Sequence, residues 1–241
     1  MTARLKKLGI TLAVLGLGFV GGGIFAFTKV QAGGDSLQAF AAAQNVTLSY
    51  NEEGVLVDRG DPEQAQAILS LLEDDWKYPV VESELDPNDP LVNTGTEYMY
   101  QMATVTYHTL HGSATITLPE GSEDVEYNGV TYHAGDTVEF QNDGKYWTGF
   151  DRNDPIEGPA RAAIWTATAH ALVGELGVGA VTASTLQLGL GVAAFMGGVG
   201  LTLILLGLGL VWVARGVTAP VAPISEPKAK AAPARPKAKK V

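Results

Sequence analysis

The chain has no cysteine among its 241 residues, and this absence excludes several kinds of structure and chemistry. Disulfide bonds cannot hold a folded region together, and neither a thiolate nucleophile nor a cysteine-ligated zinc site is available. Any folded domain must therefore depend on its own apolar core. The region from residue 30 to residue 185, about 155 residues, is long enough for one such core.

Charged residues are missing from two long stretches, which run from Leu8 to Thr28 and from Leu176 to Ala214. Each stretch exceeds the ~20 residues that an α-helix needs to cross ~30 Å of hydrocarbon. We therefore expect a membrane protein whose lipid-bilayer spans are α-helices at residues 8–29 and 187–214. No ionisable side chain lies in the central part of either stretch, so an ion pathway or a proton relay is not expected.

Basic residues are scarce between the two stretches. Residues 30–185 contain 25 acidic and five basic residues, which gives this region a net charge of −20. Basic residues instead precede the first stretch and follow the second. Because short basic segments stay cytoplasmic, we expect both termini inside the cell and the acidic region outside it. So negative a region also makes nucleic acid an unsuitable partner for the external domain.

These charges predict a layout of six segments in a multi-pass protein of the cell membrane. They are a basic cytoplasmic N-terminus (1–7), a first span (8–29), an extracytoplasmic domain (30–158), a juxtamembrane helix (159–186), a second span (187–214) and a basic cytoplasmic tail (215–241).

A cleaved signal peptide is the alternative interpretation of the N-terminus. Val30-Gln31-Ala32 fits the small-residue pattern of a signal-peptidase site, and cleavage after Ala32 would leave one span. The first apolar run has 21 residues, however, and Lys29 separates it from that site. Apolar cores of signal peptides are shorter, about 7–15 residues, so a retained anchor is favoured.

Residues at the ends and on the faces of the spans predict how the spans are positioned in the membrane and how they pack against other helices. Lys6 and Lys7 before the first span, and Trp212 and Arg215 at the end of the second, suit the membrane–water interfaces. Small residues four apart open a strip along which a second helix can approach closely. We expect such packing between the two spans, with a membrane-protein partner or in a homo-oligomer, at Gly18, Gly22, Gly189, Ala193 and Gly197.

The region between the spans is predicted to be an α+β domain of antiparallel hairpins and short helices. A short helix is expected from Asp35 or Ser36 to Asn45, and Asp61-Pro62 is a typical helix start. Alternating segments between residues 113 and 141 predict one small antiparallel sheet, and Asn128-Gly129 between two of them is a strong hairpin signal. The periodicity of residues 97–110 suits either a helix or a strand. The fold class is thus an extracytoplasmic α+β domain held between two transmembrane α-helices.

The four histidines give the main candidate metal site, because the acidic residues Glu82, Glu84, Asp86 and Asp89, which calcium could bind, lack an Asp-x-Asx-x-Asx-Gly loop. Non-haem iron takes two histidines and a carboxylate on one face, and His108 and His111 are three residues apart, with His133 farther along the chain. No His-Glu-x-x-His signature accompanies them. We therefore predict no catalytic residues, no metal and no cofactor, with a metal-dependent membrane enzyme that uses His108, His111 and His133 as the alternative.

One segment resembles a known family. The residues that carry the resemblance are Gly144, Lys145, Phe150, Asp151, Arg152, Asp154 and Pro155. They match small actinobacterial two-span membrane proteins, in which a Gly-Lys-Thr-Tyr-x-x-Leu-Asp-Arg-x-Asp-Pro segment leads into a helix and a final span. Residues 98–110 look like the group's preceding helix, with His108 near its histidine. Members are often named ring-opening dioxygenases, a name that these residues give no reason to transfer.

The resemblance implies two spans around an external domain, and residues 113–141 depart from it as a hairpin-rich insertion. The tail after Arg215 is rich in Pro, Ala and Lys and is predicted to be disordered. Its charge favours anionic lipids of the inner leaflet, with nucleic acid or an acidic cytoplasmic partner as the alternative. The expected function is therefore non-enzymatic binding or scaffolding in the cell envelope.

Overall fold

The computed structural model describes residues 2–216, and it combines α-helices with small antiparallel sheets. The described chain forms two compact units. One comprises residues up to Gly21 together with those from Met196 onwards, and the other runs from Gly22 to Phe195. The first and last helices each contribute residues to both units.

Two long helices dominate the secondary structure. Helix α1 covers Thr2–Gln44, and the last helix, α5, covers Ala167–Gly216. Both are long and apolar enough to cross a membrane, and only 11% of the most apolar segment of each is buried within the protein. The separate helix predicted to begin at Asp35 or Ser36 is instead the continuation of α1. Neither a proline nor a capping turn interrupts the chain there.

In the unit that contains the chain ends, the two helices pack through glycines. A Cβ atom added to Gly16 would lie 2.6 Å from the carbonyl oxygen of Gly200, and one added to Gly9 would lie 2.5 Å from that of Gly207. Real Cβ atoms do not approach other atoms so closely, so only glycine permits this backbone contact. A larger residue at Gly16 or Gly200 would push the helices apart.

The unit from Gly22 to Phe195 opens, after α1, with a short hairpin and a capped helix. Strands β1 (Ser49–Tyr50) and β2 (Leu56–Val57) pair antiparallel. Helix α2 (Pro62–Ser70) follows, and the Asp61 carboxylate accepts a hydrogen bond from the backbone N–H of Glu63 at 2.8 Å. The helix start predicted at Asp61-Pro62 is confirmed. A π-helical turn (Leu71–Asp75) and a 3-10 turn (Glu82–Glu84) follow α2.

Helix α3 (Gly95–Leu110) lies at the centre of this unit and settles the ambiguous periodicity in favour of a helix. Its start is a capping box, in which the Thr94 hydroxyl and the Glu97 carboxylate each accept from backbone N–H groups of the first turn. Fully buried apolar side chains from several other elements join α3 in one core: Ile68, Leu72, Leu118, Val138 and Ile156.

The later strands form two separate two-stranded sheets. Strand β3 (Ser113–Thr117) pairs antiparallel with β6 (Thr137–Gln141), and β4 (Val125–Tyr127) pairs with β5 (Val130–Tyr132). Asn128 and Gly129 have φ angles of 51° and 76°, as a type I′ hairpin requires, so the predicted hairpin is confirmed. The single sheet expected for this region is divided, because within residues 2–216 β4 and β5 pair with each other and not with β3 or β6. Helix α4 (Glu157–Ile164) then precedes α5.

Candidate functional site

A groove between α1 and α5 forms a mainly apolar cavity in the Gly22–Phe195 unit. Its volume is about 650 Å³, within the range of about 300–1,000 Å³ that is typical of small-molecule sites. We call it the α1–α5 groove. Its walls come from three helices: Gly33, Ser36, Leu37, Phe40 and Gln44 of α1, Tyr98 of α3, and Leu172, Glu175, Leu176, Val178, Gly179 and Thr182 of α5.

Tyr98 packs against Gly179 and forms the floor of the groove. A Cβ atom added to Gly179 would lie 2.5 Å from Cδ1 of Tyr98, so the tyrosine ring rests on the backbone of α5. Tyr98 is buried, and its hydroxyl has no hydrogen-bond partner among residues 2–216. Burial raises the pKa of Tyr98, and the nearby carboxylates of Glu97 and Glu175 raise it further. The hydroxyl is therefore neutral at physiological pH.

The polarity of the groove changes along its length. At one end, the amide of Gln44 donates a hydrogen bond to the carboxylate of Glu175. The rest of the lining is mainly apolar and includes Leu37, Leu172 and Val178, with Ser36 and Thr182 as polar members. The large apolar side chains Phe40 and Val178 remain exposed there. The groove thus has an apolar part and an acidic end.

His108 belongs to a different place, a buried polar cluster between α3 and the first hairpin. Its Nε2 atom lies 2.8 Å from Oδ2 of Asp58, although the pair does not have the geometry of a hydrogen bond. The hydroxyls of Tyr50 and Tyr100 are buried without hydrogen-bond partners in the described chain. Burial raises the pKa of Tyr100, and the Asp58 carboxylate adds to the shift. Burial, with Glu97 and Asp86, raises the pKa of Tyr50 to about 12.

The other two candidate histidines each have a local partner. The Nδ1 atom of His111 lies 2.9 Å from the carbonyl oxygen of Tyr107. His133 lies on the exposed β4–β5 hairpin, where its Nδ1 atom is 2.8 Å from a carboxylate oxygen of Asp124. That contact raises the pKa of His133. Within residues 2–216, no group of three or more His, Asp or Glu side chains is arranged to hold a metal ion.

The residues predicted to pack the helices lie in several environments. A Cβ atom added to Gly189 would lie 2.7 Å from the side chain of Val30 on α1, and Ala193 is buried. Beside Gly18 and Gly197, by contrast, a Cβ atom would meet no described atom within 4 Å. Gly22 is partly exposed. Of the predicted interface anchors, Lys6, Lys7, Trp212 and Arg215 are all exposed, and Trp212 and Arg215 share a shallow surface pocket.

Sequence reasoning missed the residues of the α1–α5 groove, although one signal pointed to them. The second uncharged run has 39 residues, from Leu176 to Ala214, and only about 20 are needed to span a bilayer. The surplus at its start includes Leu176, Val178 and Gly179. The sequence predicts that this surplus belongs to a juxtamembrane helix, and it gives no sign that the same residues form the wall of a cavity.

No protein-family model, curated protein or solved structure matches the chain.

Proposed function

We propose that this protein is a non-enzymatic integral membrane protein with two spans, which holds an acidic domain outside the cytoplasm for binding or scaffolding in the cell envelope. The observation that carries the proposal is the exposure of the two apolar helices. Only 11% of the most apolar segment of each helix is buried within the protein. The core helix of a soluble protein would be mostly buried. Apolar surfaces of this size need a partner other than water.

Contacts made by α1 favour a retained anchor over a cleaved signal peptide. Gly9 and Gly16 contact α5 in one unit, and Val30 contacts Gly189 in the other. The candidate cleavage site at Val30–Ala32 lies inside the continuous helix. Removal of residues up to Ala32 would leave the apolar face of α5 without these neighbours, so both helices serve best as permanent spans.

Charge supports the proposed orientation. Residues 30–185 carry a net charge of −20, whereas Lys6 and Lys7 flank the first span and Arg215 ends the second. Under the positive-inside rule both termini are cytoplasmic. The basic tail from 217 onwards lies outside the described residues, and we propose that it binds anionic lipids of the inner leaflet. The resemblance to two-span actinobacterial proteins stays a prediction that agrees with this topology.

The absence of native cysteine allows a direct test of the topology. Single cysteines replace exposed residues in the two compartments, as Glu123→Cys in the domain and Lys6→Cys at the N-terminus. A membrane-impermeant maleimide should label Glu123→Cys in intact cells and Lys6→Cys only after permeabilisation. Labelling of Lys6→Cys in intact cells, or protection of Glu123→Cys, would overturn the orientation. The cysteine-free parent chain is the control for background.

A further inference from the structure

Helix α5 has more apolar length than a membrane can cover. Its uncharged run of 39 residues is about 58 Å long, whereas the hydrocarbon layer is about 30 Å thick. In the Gly22–Phe195 unit, Val30 of α1 lies against Gly189, and Gly33 lies against Leu186. Lys29, which ends the uncharged run of α1, is therefore level with Gly189 or its neighbours. The α5 residues before Gly189 continue beyond that level.

Part of this surplus is exposed and lines the α1–α5 groove, whereas Leu176 and Ala180 are buried. Leu172, on the turn that precedes the uncharged run, and Val178 are both exposed, and Phe40 is exposed on the facing helix. From Gly33 to Gln44, α1 advances about 17 Å along the groove. The groove therefore begins close to the end of the predicted hydrocarbon layer and leads away from it. Something other than water is needed to cover its apolar walls.

The order of polarity along the groove identifies the chemistry of the occupant. Leu37 and Phe40 precede Gln44 on α1, so they lie nearer to the predicted spans than the Gln44–Glu175 pair, although Leu172 also lines the groove beyond that pair. A lipid of the adjacent leaflet has the same order, with its acyl chain towards the membrane and its headgroup away from it. The occupant can enter from the bilayer without passing its chain through water.

We propose that the α1–α5 groove binds one membrane lipid, with an acyl chain along Leu37, Phe40 and Val178 and an ammonium headgroup beside Glu175. This assignment depends on the two-span topology proposed above. An ammonium group is favoured because the groove ends at a carboxylate and residues 30–185 have a net charge of −20. The same charge disfavours a headgroup that is only anionic.

The test uses the full-length chain in vesicles of phosphatidylethanolamine and phosphatidylglycerol. A trace of either lipid carries a photoreactive diazirine on its acyl chain, and the cross-linked residues are located by mass spectrometry. We expect the phosphatidylethanolamine probe to label residues 33–44 of α1 and 172–182 of α5. The Glu175→Gln variant should retain labelling but lose the preference for this probe over the phosphatidylglycerol probe.

Two valines provide a matched pair of variants. Val178 and Val181 are both on α5 and both 67% exposed, but only Val178 lines the groove. Val178→Asp should reduce labelling of the groove about tenfold, because the chain would have to contact a carboxylate, whereas Val181→Asp should not change it. Thr182→Trp adds no charge and fills the groove, and it should reduce labelling as well.

Several results would overturn the proposal. Equal labelling in Val178→Asp and Val181→Asp would mean that the probe contacts the protein without entering the groove. Efficient disulfide formation between copies of Val178→Cys, but not of Val181→Cys, would assign the groove to a second copy of the chain. Maleimide labelling of the cysteine variants in the same vesicles tests the two-span topology independently of the lipid assignment. If the topology is correct and the groove is unlabelled, only the lipid assignment fails, whereas a wrong topology refutes the proposed function as well.

Discussion

The carboxylate of Glu97 at the start of α3 leads to the sharpest stability prediction. Its side chain is only 2% exposed, and one of its oxygens, Oε2, accepts hydrogen bonds from the backbone N–H groups of Asn93 at 2.9 Å and Thr94 at 2.8 Å. Burial raises the pKa of Glu97, and these hydrogen bonds offset part of that shift. The geometry of the carboxylate is therefore needed here, while its negative charge is unfavourable.

Two substitutions distinguish the contribution of these hydrogen bonds to stability from the contribution of the negative charge. Glu97→Ala leaves two buried N–H groups without an acceptor and opens a cavity, so it should lower the free energy of unfolding by about 2–4 kcal/mol. Glu97→Gln keeps one oxygen, which can accept from both N–H groups, and removes the charge. We expect Glu97→Gln to be at least as stable as the parent protein at pH 7.

The pH dependence follows from the direction of the pKa shift. A carboxyl group whose pKa is raised on folding contributes stability that is fully present below its unfolded pKa and is lost as the pH rises through its folded pKa. The stability advantage of Glu97→Gln over the parent should therefore be largest above the folded pKa of Glu97. It should shrink as the pH falls towards the ordinary value of 4.5.

Thermal unfolding of the full-length chain in detergent micelles measures these effects. Tryptophan fluorescence reports on the domain, because three of the four tryptophans, Trp76, Trp147 and Trp165, lie in it. For a region of about 150 residues, the Glu97→Ala change corresponds to a decrease in Tm of about 5–15 °C. Equal destabilisation by Glu97→Ala and Glu97→Gln would refute the reasoning, since it would mean that the charge itself stabilises the fold.

Two further predictions concern the spans and metal. Gly200→Val should disrupt the pairing of α1 with α5 and lower the Tm of the full chain, because the new side chain would meet Val20 and the Gly16 carbonyl. The control Gly197→Val should have little effect, because the space beside Gly197 is open. Equal effects of the two substitutions would contradict close packing at Gly200. Treatment with EDTA should leave the unfolding transition unchanged, since His108, His111 and His133 have separate partners within residues 2–216. A lower Tm after chelation would favour the alternative of a metal-dependent enzyme.

Local sequence signals predicted the local structure well. The helix start at Asp61-Pro62 and the hairpin at Asn128-Gly129 depend on residues adjacent in the chain, and both are confirmed. The two long apolar helices are likewise confirmed, because their length and composition are properties of the sequence itself. Whether they cross a membrane, and which way, stays a prediction.

Features set by tertiary contacts could not be predicted in the same way. Residues 97–110 suit a helix or a strand by periodicity, and the capping box of Thr94 and Glu97 together with burial of one face selects the helix. The continuation of α1 to Gln44 depends on contacts with α5, such as Gly33 against Leu186. The division of the predicted sheet depends on strand partners that no short segment encodes.

Gly179 shows why the candidate site is not visible in the sequence. In the uncharged run it is one of many glycines, and the sequence alone predicts only that it belongs to the juxtamembrane helix. In the structure, its missing side chain makes room for the ring of Tyr98, which fixes α3 against α5. The same contact forms the floor of the α1–α5 groove, so an occupant of the groove would press on the helix at the centre of the domain core. We therefore expect that an occupant of the groove would change the stability of the α+β domain through Tyr98, a link that depends on the register of α3 and α5.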